Sequence, residues 1–243
     1  MKHSPVRKEI LIIKNITRED SGLLGEILIE NRIVPRVVDL SLGHEIESID
    51  GYGAVIVFGG PDSANDESRK MKSELALIRK VLAANIPYLG ICLGLQAMVK
   101  ASGGQVIISS VKEVGFRDGN REYFEIKLTD EGRQDALFKG IPETFNAFHL
   151  HGETIILTKD MKLLAAGRSC RNQIIKIGSN AYGIQCHFEL TSEMFERWIN
   201  EDPDLLKLDA EQLRSDFHYF RENYFSTGRQ LFQNFLRTAG FKI

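Results

Sequence analysis

Short apolar runs alternate with amphipathic stretches through the first half of the chain. Because the apolar runs are brief and rich in β-branched residues, they predict buried strands at residues 9–13, 33–40, 54–58 and 86–89. The amphipathic stretches between and after them predict helices at residues 20–31, 66–85 and 93–101. Repeated strand–helix units build a parallel sheet with helices on both faces, so the pattern predicts an α/β fold.

The second half of the chain has a different pattern. Its short β-like runs predict further strands and an antiparallel flap beside the sheet, at residues 105–108, 123–128, 154–157, 163–166, 173–177 and 181–185. From Thr191 onward the pattern is helical, and Leu213, Phe217, Phe220 and Tyr224 lie on one helix face.

The chain shows no linker, so we predict a single domain over residues 1–243. Its core covers about 9–200, and a C-terminal helical extension covers about 201–243. We expect the extension to pack on the sheet edge or to form a homodimer contact.

Composition narrows the class of protein. Of the 243 residues, 43% are hydrophobic and 26% are charged, which is ordinary for a globular domain. The formal net charge of −2 favours neither nucleic acid nor an anionic membrane as a partner. Three cysteines are too few for a disulfide framework, and no apolar run suits a signal peptide or a membrane span. We therefore expect a cytoplasmic protein.

Cys92 is the first candidate for chemistry. It stands between Gly90 and Gly94, directly after an apolar run and before a predicted helix. A sharp strand-to-helix turn of this kind presents a nucleophile at the edge of an α/β sheet, and glycines relieve the crowding there. The N–H groups at the start of the helix favour the thiolate over the thiol.

A cysteine nucleophile needs a base and a group that orients the base. His187 and Glu189 follow another predicted strand, and residues two apart on an extended segment point the same way. Attack on a carbonyl also needs an oxyanion hole. The backbone N–H groups of Gly60 and Leu93 are the candidates, and together these parts predict acyl transfer through a thioester.

Three segments resemble the signature motifs of class I (triad-type) glutamine amidotransferases, in the same order, over roughly residues 9–200. They are Gly59-Gly60-Pro61-Asp62-Ser63, the run from Gly90 to Gln96, and the run from Gly183 to Glu189. The resemblance implies a flavodoxin-like, mostly parallel sheet and hydrolysis of glutamine to glutamate and ammonia. It implies Cys92 as nucleophile, His187 as base, Glu189 as orienting acid, and Gly60 and Leu93 as oxyanion donors, with no cofactor or metal.

The resemblance also implies a set of substrate contacts. The segment Leu150-His151-Gly152-Glu153 is similar to a stretch of the GMP synthase glutaminase domain. We assign substrate contacts to Asp62, Gln96, Leu150, Gly152 and Glu153. Phe188 and Leu150 depart from the family pattern, so we expect the leaving-group side of the site to lie near them.

Three functions remain open on the sequence. The first is a stand-alone glutamine amidotransferase, with glutamine as substrate and a separate synthetase chain as partner. The second is a γ-glutamyl peptide hydrolase that uses the same triad on glutathione-type substrates. The third is a non-catalytic subunit, which the retention of both Cys92 and His187 disfavours. A metal site at His149 and His151, with Glu153 nearby, is a further alternative.

Overall fold

The computed structural model describes residues 9–46 and 48–243, which form eleven strands and six helices. The strands are β1 (Glu9–Lys14), β2 (Arg36–Asp39), β3 (Tyr52–Val57), β4 (Tyr88–Ile91), β5 (Gln105–Gly115), β6 (Ile126–Leu128), β7 (Thr144–Phe145), β8 (His149–Ile156), β9 (Met161–Gly167), β10 (Ile174–Ile177) and β11 (Ala181–Ile184). The helices are α1 (Gly22–Glu30), α2 (Arg69–Ala83), α3 (Leu93–Ala101), α4 (Asp130–Gln134), α5 (Ser192–Glu201) and α6 (Ala210–Thr238).

Nine of the strands form one mixed sheet in the order β2-β1-β3-β4-β11-β10-β9-β6-β7. Strands β2, β1, β3, β4 and β11 pair in parallel, and the other four add antiparallel strands beyond β11. Pro35 directly precedes β2 at the sheet edge, where its missing N–H costs no ladder bond. The predicted α/β fold with a central parallel sheet is confirmed.

Alternate side chains of the buried strands fill two separate cores. On β1, Ile10 and Ile12 join the core that holds α1, α5 and α6. Leu11 and Ile13 join the core on the opposite face, which holds α2 and α3. This explains why β1 is apolar at every position from Ile10 to Ile13, because a strand covered on both faces has no solvated side.

Strands β5 and β8 form a separate two-stranded antiparallel sheet, the predicted flap. Both strands are longer than their apolar runs indicated, since β5 continues to Gly115 and β8 begins at His149. The extra pairs include Glu113 opposite His151. These added positions are polar and do not alternate with apolar residues, so the sequence pattern underestimated the length of both flap strands.

The C-terminal helix α6 is part of the main core. It packs against α1, β7 and the turn Ala136–Phe138, and it buries Phe232, Phe235 and Leu236 completely. The predicted helical extension therefore covers a face of the sheet, and it reaches the edge only at β7. Among the described residues, no helix combines the length and the apolar composition needed to cross a membrane.

Tyr224 ties α6 to the segment after β11. Its hydroxyl donates a hydrogen bond to the carbonyl oxygen of His187 at 3.1 Å and accepts one from the N–H of Leu190 at 3.2 Å. Tyr224 is 1% exposed, so neither backbone group can turn to solvent when the hydroxyl is removed.

We expect Tyr224→Phe to lower the free energy of unfolding by about 1–3 kcal/mol, because it removes the hydrogen-bond acceptor of the buried Leu190 N–H. The carbonyl of His187 also loses a donor but keeps the N–H of Phe148 at 3.3 Å. Urea unfolding followed by circular dichroism measures the change. Tyr219→Phe is the matched control on the same helix, since Tyr219 is 70% exposed. Equal stability of the two variants would contradict a structural role for the Tyr224 hydroxyl.

Candidate active site

Cys92 occupies a strained turn between β4 and α3. Its φ of +50° lies in the left-handed region that non-glycine residues rarely adopt. A Cβ at Gly94 would collide with the carbonyl of Val57, so glycine is required where α3 approaches β3. The N–H of Cys92 donates to the carbonyl of Ile184 at 2.7 Å, which ties the turn to β11. The predicted strand–turn–helix around this cysteine is present.

The sulfur of Cys92 faces polar groups. It lies 3.8 Å from the carbonyl oxygen of Leu150 and 3.6 Å from the side-chain nitrogen of Gln185, which donates to it. Gln185 in turn accepts a hydrogen bond from Gln96 at 3.2 Å. The sulfur therefore has the Gln185 amide as a hydrogen-bond donor and stands at the N-terminus of α3.

His187 and Glu189 form a buried pair after β11. The imidazole Nδ1 lies 2.5 Å from one carboxylate oxygen of Glu189, and the N–H of Phe188 donates to the other at 2.9 Å. The edge of Trp198 packs on the imidazole, with ring centroids 5.1 Å apart. Burial opposes a charge on His187, yet the Glu189 carboxylate and the Cys92 thiol hold the pKa of His187 well above its usual value.

The two oxyanion candidates lie at the ends of neighbouring elements. Gly60 follows β3 and lines the same cleft as Cys92 and His187. Leu93 is the first residue of α3, so its N–H has no acceptor within the helix. The N–H of Gly59 is already engaged, because it donates to the carboxyl of Glu19 at 3.3 Å.

A cleft of about 500 Å³ opens in front of the sulfur. It is lined by all of the predicted substrate contacts: Asp62, Gln96, Leu150, Gly152 and Glu153. Gln96 donates to the backbone carbonyl of Glu153 at 3.4 Å, and the Glu153 carboxylate accepts the hydroxyl of Ser63 at 2.8 Å. The structure therefore joins the segment 150–153 to the loop after β3.

Phe188 does not lie where we expected it. Its side chain is 1% exposed and packs between Tyr224 and Phe145, in the core rather than in the cleft. The backbone alternates after β11, so His187 and Glu189 share one side and Phe188 faces the other. Of Leu150 and Phe188, only Leu150 lines the cleft.

His149 and His151 converge on Glu113, and Glu153 is not in this group. One carboxylate oxygen of Glu113 lies 3.0 Å from Nδ1 of His149 and 2.9 Å from Nε2 of His151. The amide of Gln173 and the backbone N–H of Cys170 also donate to this carboxylate, at 2.7 and 2.9 Å. His151, Gln173 and Cys170 therefore hold Glu113 in a buried hydrogen-bond network. His149 lies against this carboxylate, but among the described residues neither of its ring nitrogens has a partner in hydrogen-bond geometry.

This network fixes the strand that lines the cleft. The Nδ1 of His151 contacts the carbonyl of Glu153 at 3.1 Å, while its Nε2 contacts Glu113. Burial opposes ionisation of Glu113, but the close approach of the His149 and His151 rings holds the pKa of Glu113 well below its usual range. Burial lowers the pKa of His149.

A family model described as glutamine amidotransferase class-I matches residues 23–202. The chain belongs to this family. The match ends near the start of the turn before α6, so α6 lies outside the region that defines the family.

Three relatives of known sequence illustrate the similarity. A protein named as glutamine amidotransferase-like in Salmonella typhimurium is 32% identical over 155 residues, which are 62% of each chain. A relative in Methanococcus maripaludis, named as one subunit of a glutamine-hydrolyzing GMP synthase, is 34% identical over 165 residues, which are 66% of this chain and 75% of the relative. The matched part is only 26% of the GMP synthase of Thermosipho melanesiensis.

Solved structures extend the similarity to the whole chain. A glutamine amidotransferase from Thermotoga maritima superposes with a TM-score of 0.85 and 25% identity, covering 96% of this chain and 99% of that one. The predicted family and the flavodoxin-like fold class are confirmed.

Three residues of the site escaped the sequence reasoning: Glu19, Gln185 and Trp198. Gln185 lies within the third signature motif, and its position after β11 was the signal that could have assigned it. Glu19 lies in a loop and Trp198 lies on α5, both outside the three motifs. Only the tertiary fold brings them to His187.

Glu113→Gln tests whether the buried network stabilises the flap. The pKa of Glu113 is lower in the folded state than its unfolded value of 4.5, so its ionisation stabilises the fold at every pH above 4.5. This stabilisation is lost as the pH falls from 4.5 through the lower pKa of the folded state. We expect the variant to lose about 1–3 kcal/mol at neutral pH, because buried donors lose a charged acceptor, and to show a weaker loss of stability in acid.

Urea unfolding at neutral and acidic pH measures both effects. Glu122→Gln is the control, because Glu122 pairs with Arg168 at the surface and should cost about 0–1 kcal/mol. Identical acid dependence in the wild type and in Glu113→Gln would refute the role of this carboxylate.

Proposed function

We propose that the protein hydrolyses the side-chain amide of glutamine through a thioester on Cys92 and releases glutamate and ammonia. The observation that carries this proposal is the meeting of Cys92, the His187–Glu189 pair and Gly60 at one cleft. Membership in the glutamine amidotransferase family supports it independently.

In the first step, the thiolate of Cys92 attacks the γ-carbonyl carbon of glutamine. The carbonyl π bond opens, and its oxygen takes the negative charge, which the N–H groups of Gly60 and Leu93 stabilise. The imidazolium of His187 then gives its proton to the departing nitrogen. The carbon–nitrogen bond breaks, ammonia leaves, and a γ-glutamyl thioester remains on the sulfur.

In the second step, water completes the reaction. Neutral His187 takes a proton from water, and the resulting hydroxide attacks the thioester carbonyl. The carbon–sulfur bond breaks, glutamate leaves, and the thiolate–imidazolium pair is restored. Glu189 holds the imidazole in one orientation throughout and stabilises its charged form.

The segment 150–153 and the loop after β3 supply recognition of the amino acid end of glutamine. The carboxylates of Asp62 and Glu153 suit an α-ammonium group, and exposed backbone on the strand suits an α-carboxylate. Asp62 is held by Lys70 at 2.5 Å, and Glu153 by Ser63. Both carboxylates are thus oriented before substrate arrives.

We further propose that the ammonia passes to a separate synthetase chain. The relative from Methanococcus maripaludis is named as one subunit of GMP synthase, which is a precedent for such an arrangement. The acceptor of the ammonia would be the substrate that this synthetase aminates.

Cleft size favours a second candidate, hydrolysis of a larger γ-glutamyl compound. A volume of about 500 Å³ lies within the range of roughly 300–1,000 Å³ that encloses drug-sized ligands. A leaving group larger than ammonia could therefore be accommodated. The chemistry at the carbonyl is the same, with an amino acid or peptide amine leaving in place of ammonia.

Cys92→Ala should abolish glutamine hydrolysis and covalent trapping by an electrophilic glutamine analogue, because no other group supplies the nucleophile. Ammonia release and mass spectrometry of the trapped protein measure these outcomes. Cys170→Ala is the control, since Cys170 is buried outside the cleft and burial raises the pKa of its thiol. Turnover retained by Cys92→Ala would exclude the thioester mechanism.

A side-by-side assay separates the two substrates. If glutamine is the substrate, its kcat/KM should exceed that of a γ-glutamyl dipeptide by about tenfold or more. Leu150 is the side chain on the cleft wall that differs from the family pattern. Leu150→Ser shortens it and should change the ratio of the two kcat/KM values. A higher kcat/KM for the dipeptide in the wild type would establish the second candidate instead.

A further inference from the structure

Glu19 is a buried carboxyl that the reaction above does not use. It lies between β1 and α1 and is 1% exposed. One of its carboxyl oxygens lies within 4.8 Å of a ring nitrogen of His187 and of a carboxylate oxygen of Glu189. Residues 59–63 follow β3 and carry the oxyanion candidate Gly60, and we call them the oxyanion loop. The N–H of Gly59 in this loop donates to Oε1 of Glu19 at 3.3 Å.

The segment around Glu19 is built against Glu189. The N–H of Leu23 donates to the backbone carbonyl of Glu189 at 2.9 Å, and this bond satisfies one of the free N–H groups at the start of α1. Gly22 has a φ of +47°, and a Cβ there would collide with the same carbonyl. The backbone at the start of α1 and the side chain of Glu19 therefore both lie against Glu189.

Two adjacent buried carboxyls cannot both ionise without a large electrostatic cost. Burial, and then the charge of Glu189, raise the pKa of Glu19 to about 8, which keeps Glu19 protonated at neutral pH. The other charge facing it is His187. The neighbouring Arg18 is neutralised by a salt bridge with Asp202.

We propose that Glu19 is a positioning residue that, in its protonated form, holds both Glu189 and the Gly59 peptide in place for the reaction at Cys92. In this arrangement the Glu19 hydroxyl donates to the Glu189 carboxylate, which has an oxygen within 4.8 Å, while Oε1 of Glu19 accepts the N–H of Gly59. This inference rests on the proposed function for its kinetic readout only.

The contact has two consequences for the reaction. The proton on Glu19 partly neutralises the Glu189 carboxylate, so that carboxylate stabilises the imidazolium less strongly. His187 therefore releases its proton to the leaving nitrogen more readily. Engagement of the Gly59 N–H fixes the orientation of the loop and leaves the N–H of Gly60 for the oxyanion.

Three variants test the proposal: Glu19→Gln, Glu19→Ala and the control Glu74→Gln. The glutamine amide is neutral at every pH and can reproduce both hydrogen bonds, whereas alanine removes them. Glu74 is another buried carboxyl, on α2, whose pKa burial raises to about 7. It bonds to Asn15 at 2.8 Å and does not line the cleft.

Two readouts are followed from about pH 6 to pH 10, to bracket the ionisation of Glu19 near 8. One is kcat and KM for glutamine. The other is the rate of alkylation of Cys92 by iodoacetamide, assigned to that residue by peptide mass mapping. Alkylation reports on the thiolate–imidazolium pair and requires no assumption about the substrate.

We expect both wild-type profiles to show an inflection near pH 8 that Glu74→Gln retains and Glu19→Gln lacks. At neutral pH, Glu19→Gln should keep kcat within about threefold. Glu19→Ala should lose kcat by about 10–100-fold with little change in KM, because it acts on the transition state rather than on binding.

Unchanged pH profiles in Glu19→Gln would overturn the proposal, as would a folded Glu19→Ala variant with wild-type kcat. If Glu19→Ala fails to fold, as judged by circular dichroism, the profile of Glu19→Gln alone decides. If the wild type hydrolyses no glutamine, the proposed function fails, and the alkylation profile still decides the role of Glu19.

Discussion

The site depends on the close approach of helix α3 to the central strands of the sheet. Gly90 pairs with Val57 of β3 on one side and with Gly183 of β11 on the other. A Cβ on Gly183 would collide with Leu95, and a Cβ on Gly94 would collide with Val57. Glycine at these positions lets the helix lie directly on the strands, and this packing supports the strained backbone at Cys92.

This packing also brings the three motifs together. Because β3, β4 and β11 are parallel neighbours, their carboxyl ends lie at one edge of the sheet. The oxyanion loop, Cys92 and the His187–Glu189 pair follow these three strands in that order. A shift of one residue in the pairing of β4 would turn its side chains to the opposite face and would move the cysteine away from the cleft.

Much of this arrangement could be predicted from local sequence. The strand–turn–helix at Cys92 combines an apolar run with flanking glycines, and both signals act over a few residues. The flap was underestimated, because His149, His151 and Glu113 are buried by pairing with each other, and burial of paired polar groups leaves no hydrophobic pattern. Phe188 was misplaced for a similar reason, since its neighbours in the core come from other parts of the chain.

Glu19 shows the limit of sequence reasoning most clearly, because its significance comes from Glu189, a neighbour 170 residues further along the chain. In isolation, Glu19 reads as a polar residue before a helix. In the fold it places a second buried carboxyl beside Glu189, within the site where we propose a Cys92 thiolate and a His187 imidazolium. If Glu19, Glu189 and Cys92 were all ionised, the single positive charge of the imidazolium would leave two negative charges uncompensated in a buried site. A proton on Glu19 removes one of them, so the same burial that hides this residue from solvent makes its protonation part of the electrostatic balance at Cys92.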